Sequence, residues 1–120
     1  MKTSIKIYVD ANVLIHYCTK VQGVVEALNY VFRQREKEKL FTSSLAIAQT
    51  IATLQSNRGE RKAFSKKNTI DLVQPLINKM TIIDLTYSDI QKAMSIENKD
   101  IEDNIHYILS KKMKCDAIIT

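Results

Sequence analysis

Four short segments rich in β-branched and aromatic residues, at 5–9, 40–42, 80–85 and 116–120, alternate with stretches long enough to hold one or two helices. This alternation constrains the fold more than any other feature. Consecutive strands separated by helical sequence cannot close hairpins, so they pair in parallel, and a parallel sheet is buried under helices on both faces. The sequence therefore predicts an α/β chain whose ligands would bind beyond the carboxyl ends of its strands.

The first segment, Ile5-Lys6-Ile7-Tyr8-Val9, reads as a buried strand that delivers Asp10 to its carboxyl end, with Asn12 two positions on and a helical turn starting at Val13. Val24, Ala27, Leu28, Val31 and Phe32 recur at three- and four-residue steps and predict a helix over 24–38, with the charged run 33–39 as its solvated end. After the second strand, Ser43 or Ser44 is expected to cap a helix reaching about Gln55. Thr69 is expected to cap a helix through Ile77 that Pro75 kinks or ends, and Ser88 a helix over 90–95. Residues 97–99 read as a loop, and Asp100 opens a last helix through Lys112.

At 120 residues and 45% hydrophobic content there is material for one domain with one real core. Glycine occurs only at Gly23 and Gly59 and proline only at Pro75, which excludes the glycine-rich loops that close backbone amides around phosphates. Eighteen basic against 13 acidic residues leave +5, a surplus that favours polyanionic partners without requiring them. Cys18 and Cys115 lie far apart with no further ligand at metal spacing, as expected of reduced thiols in a cytoplasmic protein. Lys6 and Asp10 interrupt the only stretch resembling a leader, and no run approaches the ~18 apolar residues of a membrane span, so no membrane association is expected.

Two acids stand out. Asp10 follows an apolar strand directly, at the rim of the sheet, where it can serve chemistry or simply cap the next helix. Asp103 lies one turn after Asp100; the helix dipole accounts for Asp100 and Glu102 but less well for the deeper Asp103. Converging carboxylates can hold Mg²⁺ or Mn²⁺ through oxygen and leave water on the ion, the arrangement of a metal-dependent nuclease in a basic protein. Residues 57–67 carry five basic side chains, including Arg58, Arg61 and Lys62. Such a run is ordinarily a solvated face, and its functional alternative is an edge that contacts RNA phosphates. His16, His106, Cys18 and the tyrosines lack partners at a telling spacing and read as packing residues.

Three segments together resemble the PIN-domain family, whose VapC-like members are toxins of bacterial toxin–antitoxin pairs. They are Ile7-Tyr8-Val9-Asp10-Ala11-Asn12-Val13-Leu14-Ile15, Phe41-Thr42-Ser43-Ser44-Leu45-Ala46-Ile47-Ala48-Gln49, and Asp100-Ile101-Glu102-Asp103-Asn104-Ile105-His106-Tyr107 followed by 114–120. The resemblance implies one three-layer α/β/α domain over 1–120 with a parallel sheet of four or five strands. It also implies a Mg²⁺- or Mn²⁺-dependent endoribonuclease, an RNA substrate, a small antitoxin partner and a homodimer. Transferred residue by residue, Asp10 and Asp103 are the catalytic, metal-holding acids, with Asn12, Ser43, Gln49 and Asp100 as neighbours. Gln49 stands where the family usually has glutamate, and the family's further acid would follow Thr120, so the sequence is expected to lack the C-terminal end of the domain. These departures keep a second reading open, a PIN-like RNA- or protein-binding module without catalysis. A phosphoaspartate protein would share the acid after the first strand, but Asn12 stands where it would need a second aspartate.

Overall fold

Tyr8 and Val9 sit next to each other on a strand and must face opposite ways, and the hydrophobic core divides along that line. The computed structural model describes residues 5–34, 38–97 and 100–120. Its elements run β1 (Ile5–Val9), α1 (Ala11–Cys18), α2 (Gln22–Arg33), β2 (Glu38–Ser43), α3 (Ser44–Leu54), α4 (Lys66–Ile77), β3 (Thr81–Ile83), α5 (Tyr87–Met94), α6 (Ile101–Lys112) and β4 (Ala117–Ile119). Val9 and Leu40 pack with Leu14, Leu28, Leu54, Val73 and Leu76 of α1 to α4 on one face. Tyr8, Phe41 and Ile83 pack with Ala93, Ile105 and Leu109 of α5 and α6 on the other. The result is a three-layer α/β/α sandwich.

All strand pairs are parallel, in the order β3-β2-β1-β4. Ile7 faces Leu40 on one side and Ala117 on the other, and Phe41 faces Thr81. The chain moves outward from β1 through β2 to β3 and then returns across the sheet to place β4 on the far side of β1. The strand order therefore reverses direction between β1 and β4, the position where open α/β sheets leave a crevice beyond their strand ends. Asp10 donates its backbone N–H to the Ile119 carbonyl at 3.1 Å and so stands at the head of that crevice.

Several element ends differ from the sequence reading. Helix α1 is two full turns from Ala11, not a turn from Val13, because the Asp10 carboxylate accepts from the Val13 N–H and caps it. Helix α2 ends at Arg33, and Glu38 and Lys39, expected on its solvated end, instead begin β2 beside Ile5 and Lys6; residues 35–37 lie outside the described residues. Ser43 caps α3 as expected, accepting from the Ala46 N–H at 3.0 Å. Helix α4 is capped by Ser65 rather than Thr69, whose buried hydroxyl donates back to the Ser65 carbonyl, and the helix continues through Pro75 to Ile77. Helix α5 is capped by Thr86 rather than Ser88, because Asp89 three residues later returns the bond in a capping box. Asp100 caps α6 as expected; of the loop expected at 97–99, residues 98 and 99 lie outside the described residues. Strand β3 keeps only three residues of the six expected, and among the described residues no helix is long and apolar enough to cross a membrane.

Candidate active site

Beyond the ends of β1 and β4 lies a cleft of about 380 Å³ lined by Asp10, Asn12, Gln49, Arg58, Asp103 and His106, with Glu102 at its mouth and Ala11, Ile15, Ala52 and Thr53 as its walls. Two helices start there. Asp10 is the N-cap of α1, and Asp103 is the third residue of α6, its N–H accepted by the Asp100 carboxylate at 3.2 Å. The positive ends of both helices thus favour anionic groups at the cleft. Asp10 is buried, at 8% exposure, and its Oδ1 accepts the cap bond from the Val13 N–H at 3.3 Å, the structural role weighed for it from sequence.

The most ordered part of the site is a chain of hydrogen bonds running out of the core. The Tyr8 hydroxyl lies 2.8 Å from Ser43 Oγ and 2.6 Å from His106 Nδ1. His106 Nε2 lies 3.2 Å from Gln49 Oε1, and Gln49 Nε2 donates to Glu102 Oε2 at 2.9 Å. The directions follow from the Glu102 end. The Glu102 carboxylate can only accept, so it faces the amide nitrogen of Gln49 and leaves the amide oxygen toward His106. His106 Nε2 therefore carries the hydrogen and donates. In the neutral ring Nδ1 then accepts, from the Tyr8 hydroxyl, and Tyr8 in turn accepts from Ser43, whose oxygen already accepts from the Ala46 N–H. Every member points the same way, from the interior to Glu102.

The ionisation of both rings suits these roles. Burial, foremost, pushes the Tyr8 hydroxyl up to about 12, with the Ser43 hydrogen bond pulling the other way, so Tyr8 stays a donor. Burial also pushes the His106 imidazole below its ordinary range, against the opposing pull of the carboxylates of Asp10, Asp103, Glu102 and Asp100. The ring is held neutral, as the hydrogen-bond directions require.

The predicted residues separate. Asp10, Asn12, Gln49, Asp103 and Arg58 line one cleft. Ser43 is fully buried behind it, and Asp100 works as a cap. The basic run also splits, because 58–61 is a tight turn rather than a continuous face. Arg58 and Arg61 exchange backbone hydrogen bonds of 2.8 and 2.9 Å around Gly59, which sits at φ +57°. Arg61 is spent on structure: its guanidinium donates to the Thr53 carbonyl at 3.1 Å and stacks 5.0 Å from the Phe64 ring centre. Lys62 is exposed and outside the cleft. Arg58 is the cation that lines the cleft, and among the described residues its side chain forms no ion pair or hydrogen bond.

Sequence reasoning missed His106 and Glu102. Both follow from the helix period: His106 lies three residues after Asp103 and four after Glu102, so all three share one side of α6. Its meeting with Gln49 is a tertiary contact that no local pattern announces. The donor chemistry is that of hard carboxylate oxygens, which suits Mg²⁺ or Mn²⁺. Among the described residues, no three His, Cys, Asp or Glu groups converge closely enough to hold a metal ion. Asp10 and Asp103 in one cleft fit a cation that keeps several waters and takes further oxygens from a bound phosphate, not a closed protein cage.

Strand order, layers and the position of the cleft define a PIN-like fold. No family model matches the chain, and no curated protein is similar to it in sequence. Among solved structures, the chain is similar to VapC20 of Mycobacterium tuberculosis, a toxin that cleaves the sarcin–ricin loop. The match covers 93% of this chain and 86% of that one, with a TM-score of 0.66 at 10% sequence identity. At that identity the likeness is one of fold.

Proposed function

We propose that this protein is a metal-dependent endoribonuclease that cuts RNA phosphodiesters as the toxin of a toxin–antitoxin pair. The observation that carries the reading is the placement of Asp10, Asp103 and Arg58 in one cleft at the switch point of a PIN-like sheet. The activity of the structurally similar VapC20, cleavage of an RNA loop, supports it. On this reading Asp10 and Asp103 hold a single Mg²⁺ or Mn²⁺. The ion, when bound, supplies an acidified water and shields the charge of the phosphodiester. Arg58 contacts a phosphate of the same strand, replacing with a guanidinium the counterions that the RNA gives up. Asn12, beside the caps of α1, presents an amide to the substrate. A small antitoxin, a homodimer and a cytoplasmic location belong to the same proposal.

The test is Mn²⁺-dependent cleavage of an RNA substrate, expected in the wild type and lost in Asp10→Asn and in Asp103→Asn. Cleavage that persists unchanged in both variants comes from another nuclease and overturns the reading. The alternative, a PIN-like binding module without catalysis, is favoured by the neutral Gln49, whose amide oxygen is already engaged by His106. It predicts RNA binding by the wild type with no metal-dependent cleavage.

A further inference from the structure

Gln49 stands where the PIN resemblance leads one to expect an acid, and the hydrogen-bond chain shows what the amide does there instead. A glutamine side chain has one acceptor oxygen and two N–H donors. The oxygen is taken by His106 Nε2 at 3.2 Å, and one N–H is given to Glu102 Oε2 at 2.9 Å. The second N–H has no partner among the described residues, and Gln49 lines the cleft. The amide cannot turn over to change this. A flip would put its oxygen against the Glu102 carboxylate, which can only accept; the hydroxyls of Tyr8 and Ser43 can each take either direction and follow the tautomer that this sets in His106. The cleft therefore holds, side by side, a donor from Gln49 and an acceptor from the exposed Glu102, bonded to each other at 2.9 Å. A glutamate at position 49 would offer acceptors only and would set a second carboxylate against Glu102.

A donor beside an acceptor complements a group that both accepts and donates, which is a hydroxyl. We propose that Gln49 and Glu102 together read the ribose 2′-hydroxyl of a strand in the cleft, Gln49 donating to its oxygen and Glu102 accepting its hydrogen. The pair thereby selects RNA over DNA. His106, itself held by the Tyr8 hydroxyl, is the positioning residue that keeps the Gln49 amide in place. This rests on the nuclease reading for the strand that occupies the cleft, and it assigns that strand's chemical class to two named side chains.

The experiment measures binding in EDTA, so that nothing is cut, by fluorescence anisotropy of a labelled hairpin RNA and its all-deoxy counterpart. The wild type is expected to prefer RNA by about tenfold or more, the scale of a hydrogen bond to a charged group. Gln49→Met and Glu102→Ala should each bring the ratio toward one, Glu102 being an exposed residue whose truncation leaves the core intact. Tyr8→Phe should reduce the ratio and also shift the His106 ¹⁵N resonances away from those of a pure Nε2–H tautomer. Lys62→Gln, exposed and outside the cleft, should keep the ratio. Equal affinity of the wild type for the two strands, or an RNA preference that survives Glu102→Ala, overturns the proposal. If metal-dependent cleavage is nevertheless lost in Asp10→Asn, the nuclease reading stands without it. A preserved RNA preference with no metal-dependent cleavage by the wild type overturns the nuclease and leaves the reader in place.

Discussion

Removing one oxygen atom from the core tests the hydrogen-bond chain directly. Tyr8 is fully buried, and its hydroxyl lies between Ser43 Oγ at 2.8 Å and His106 Nδ1 at 2.6 Å. Tyr8→Phe keeps the ring, its packing against Phe41 and Leu109, and its tilted contact with the imidazole, whose centre is 5.6 Å away. What is lost is one bond on each side, about 0.5–1.5 kcal/mol apiece, together with the cost of leaving the buried Nδ1 without a donor, about 1–3 kcal/mol. The imidazole cannot compensate by moving its hydrogen to Nδ1, because Nε2 would then face the Gln49 oxygen acceptor to acceptor. The expected loss is about 2–6 kcal/mol, a large share of the ~6–18 kcal/mol that a chain of 120 residues commands. Urea unfolding followed by far-ultraviolet circular dichroism should show a midpoint lower by about 1–3 M, at a slope of about 2 kcal/mol per M that the substitution leaves unchanged. A shift below about 0.3 M would mean that Tyr8 and His106 are not bonded as described, and the directional argument for Gln49 would fall with it.

Acid should destabilise the protein through His106. Its folded pKa lies below the ordinary value, so below about pH 6.5 the unfolded chain takes up a proton that the native ring refuses. Stability is then full above that pH and falls as the pH drops toward the depressed folded value; urea titrations at pH 7.5 and 5.5 should show this slope, and it should flatten in His106→Gln. Lys112→Met removes the 3.0 Å partner of the buried Asp89 and should cost about 1–2 kcal/mol by thermal melting, since Asp89 keeps its bond to the Thr86 N–H. Gly59→Ala meets no atom within 4 Å but forces an L-residue to φ +57°, about 1 kcal/mol of backbone strain. If Arg58 touches RNA, that variant should also weaken RNA affinity, whereas Lys62→Gln should leave it within about twofold; equal effects would return both to a common solvated face.

The parts of this fold that the sequence discloses are those whose cause is local. The place of Asp10 at the rim of the sheet is visible because the apolar strand, its end and the acid fall within six residues, Ile5 to Asp10. Ser43 and Asp100 are visible as caps for the same reason. The start of β2 is not, because Glu38 and Lys39 are strand residues only through their pairing with Ile5 and Lys6, more than thirty positions earlier. The start of α5 is ambiguous in sequence: Thr86 and Ser88 both have a capping-box partner three residues on, Asp89 and Gln91, and only the folded chain shows that the Thr86–Asp89 pair closes. Residues 57–67 do not form one continuous face, because charge counts do not say which way a turn aims its side chains, and here one arginine staples the turn that presents the other. His106 looked like a packing histidine and is one; that it also borders the cleft depends on Gln49, which only the folded chain brings to it.

The strand order has a consequence for how the protein is made. β1 emerges first from the ribosome and lies between β2 and β4, so one of its two edges waits for residues 117–119. The same holds for the cleft, since Asp10 comes from the first strand and Asp103 and His106 from the last helix. During synthesis the N-terminal half can gather α1 to α3 around one face of β1, but the carboxylates remain apart and the buried Tyr8 hydroxyl lacks its imidazole. Pairings this distant in sequence form late and slowly. A growing chain therefore carries no assembled site until residues 101–119 have been made, and whatever chemistry the cleft performs is withheld until β4 has docked.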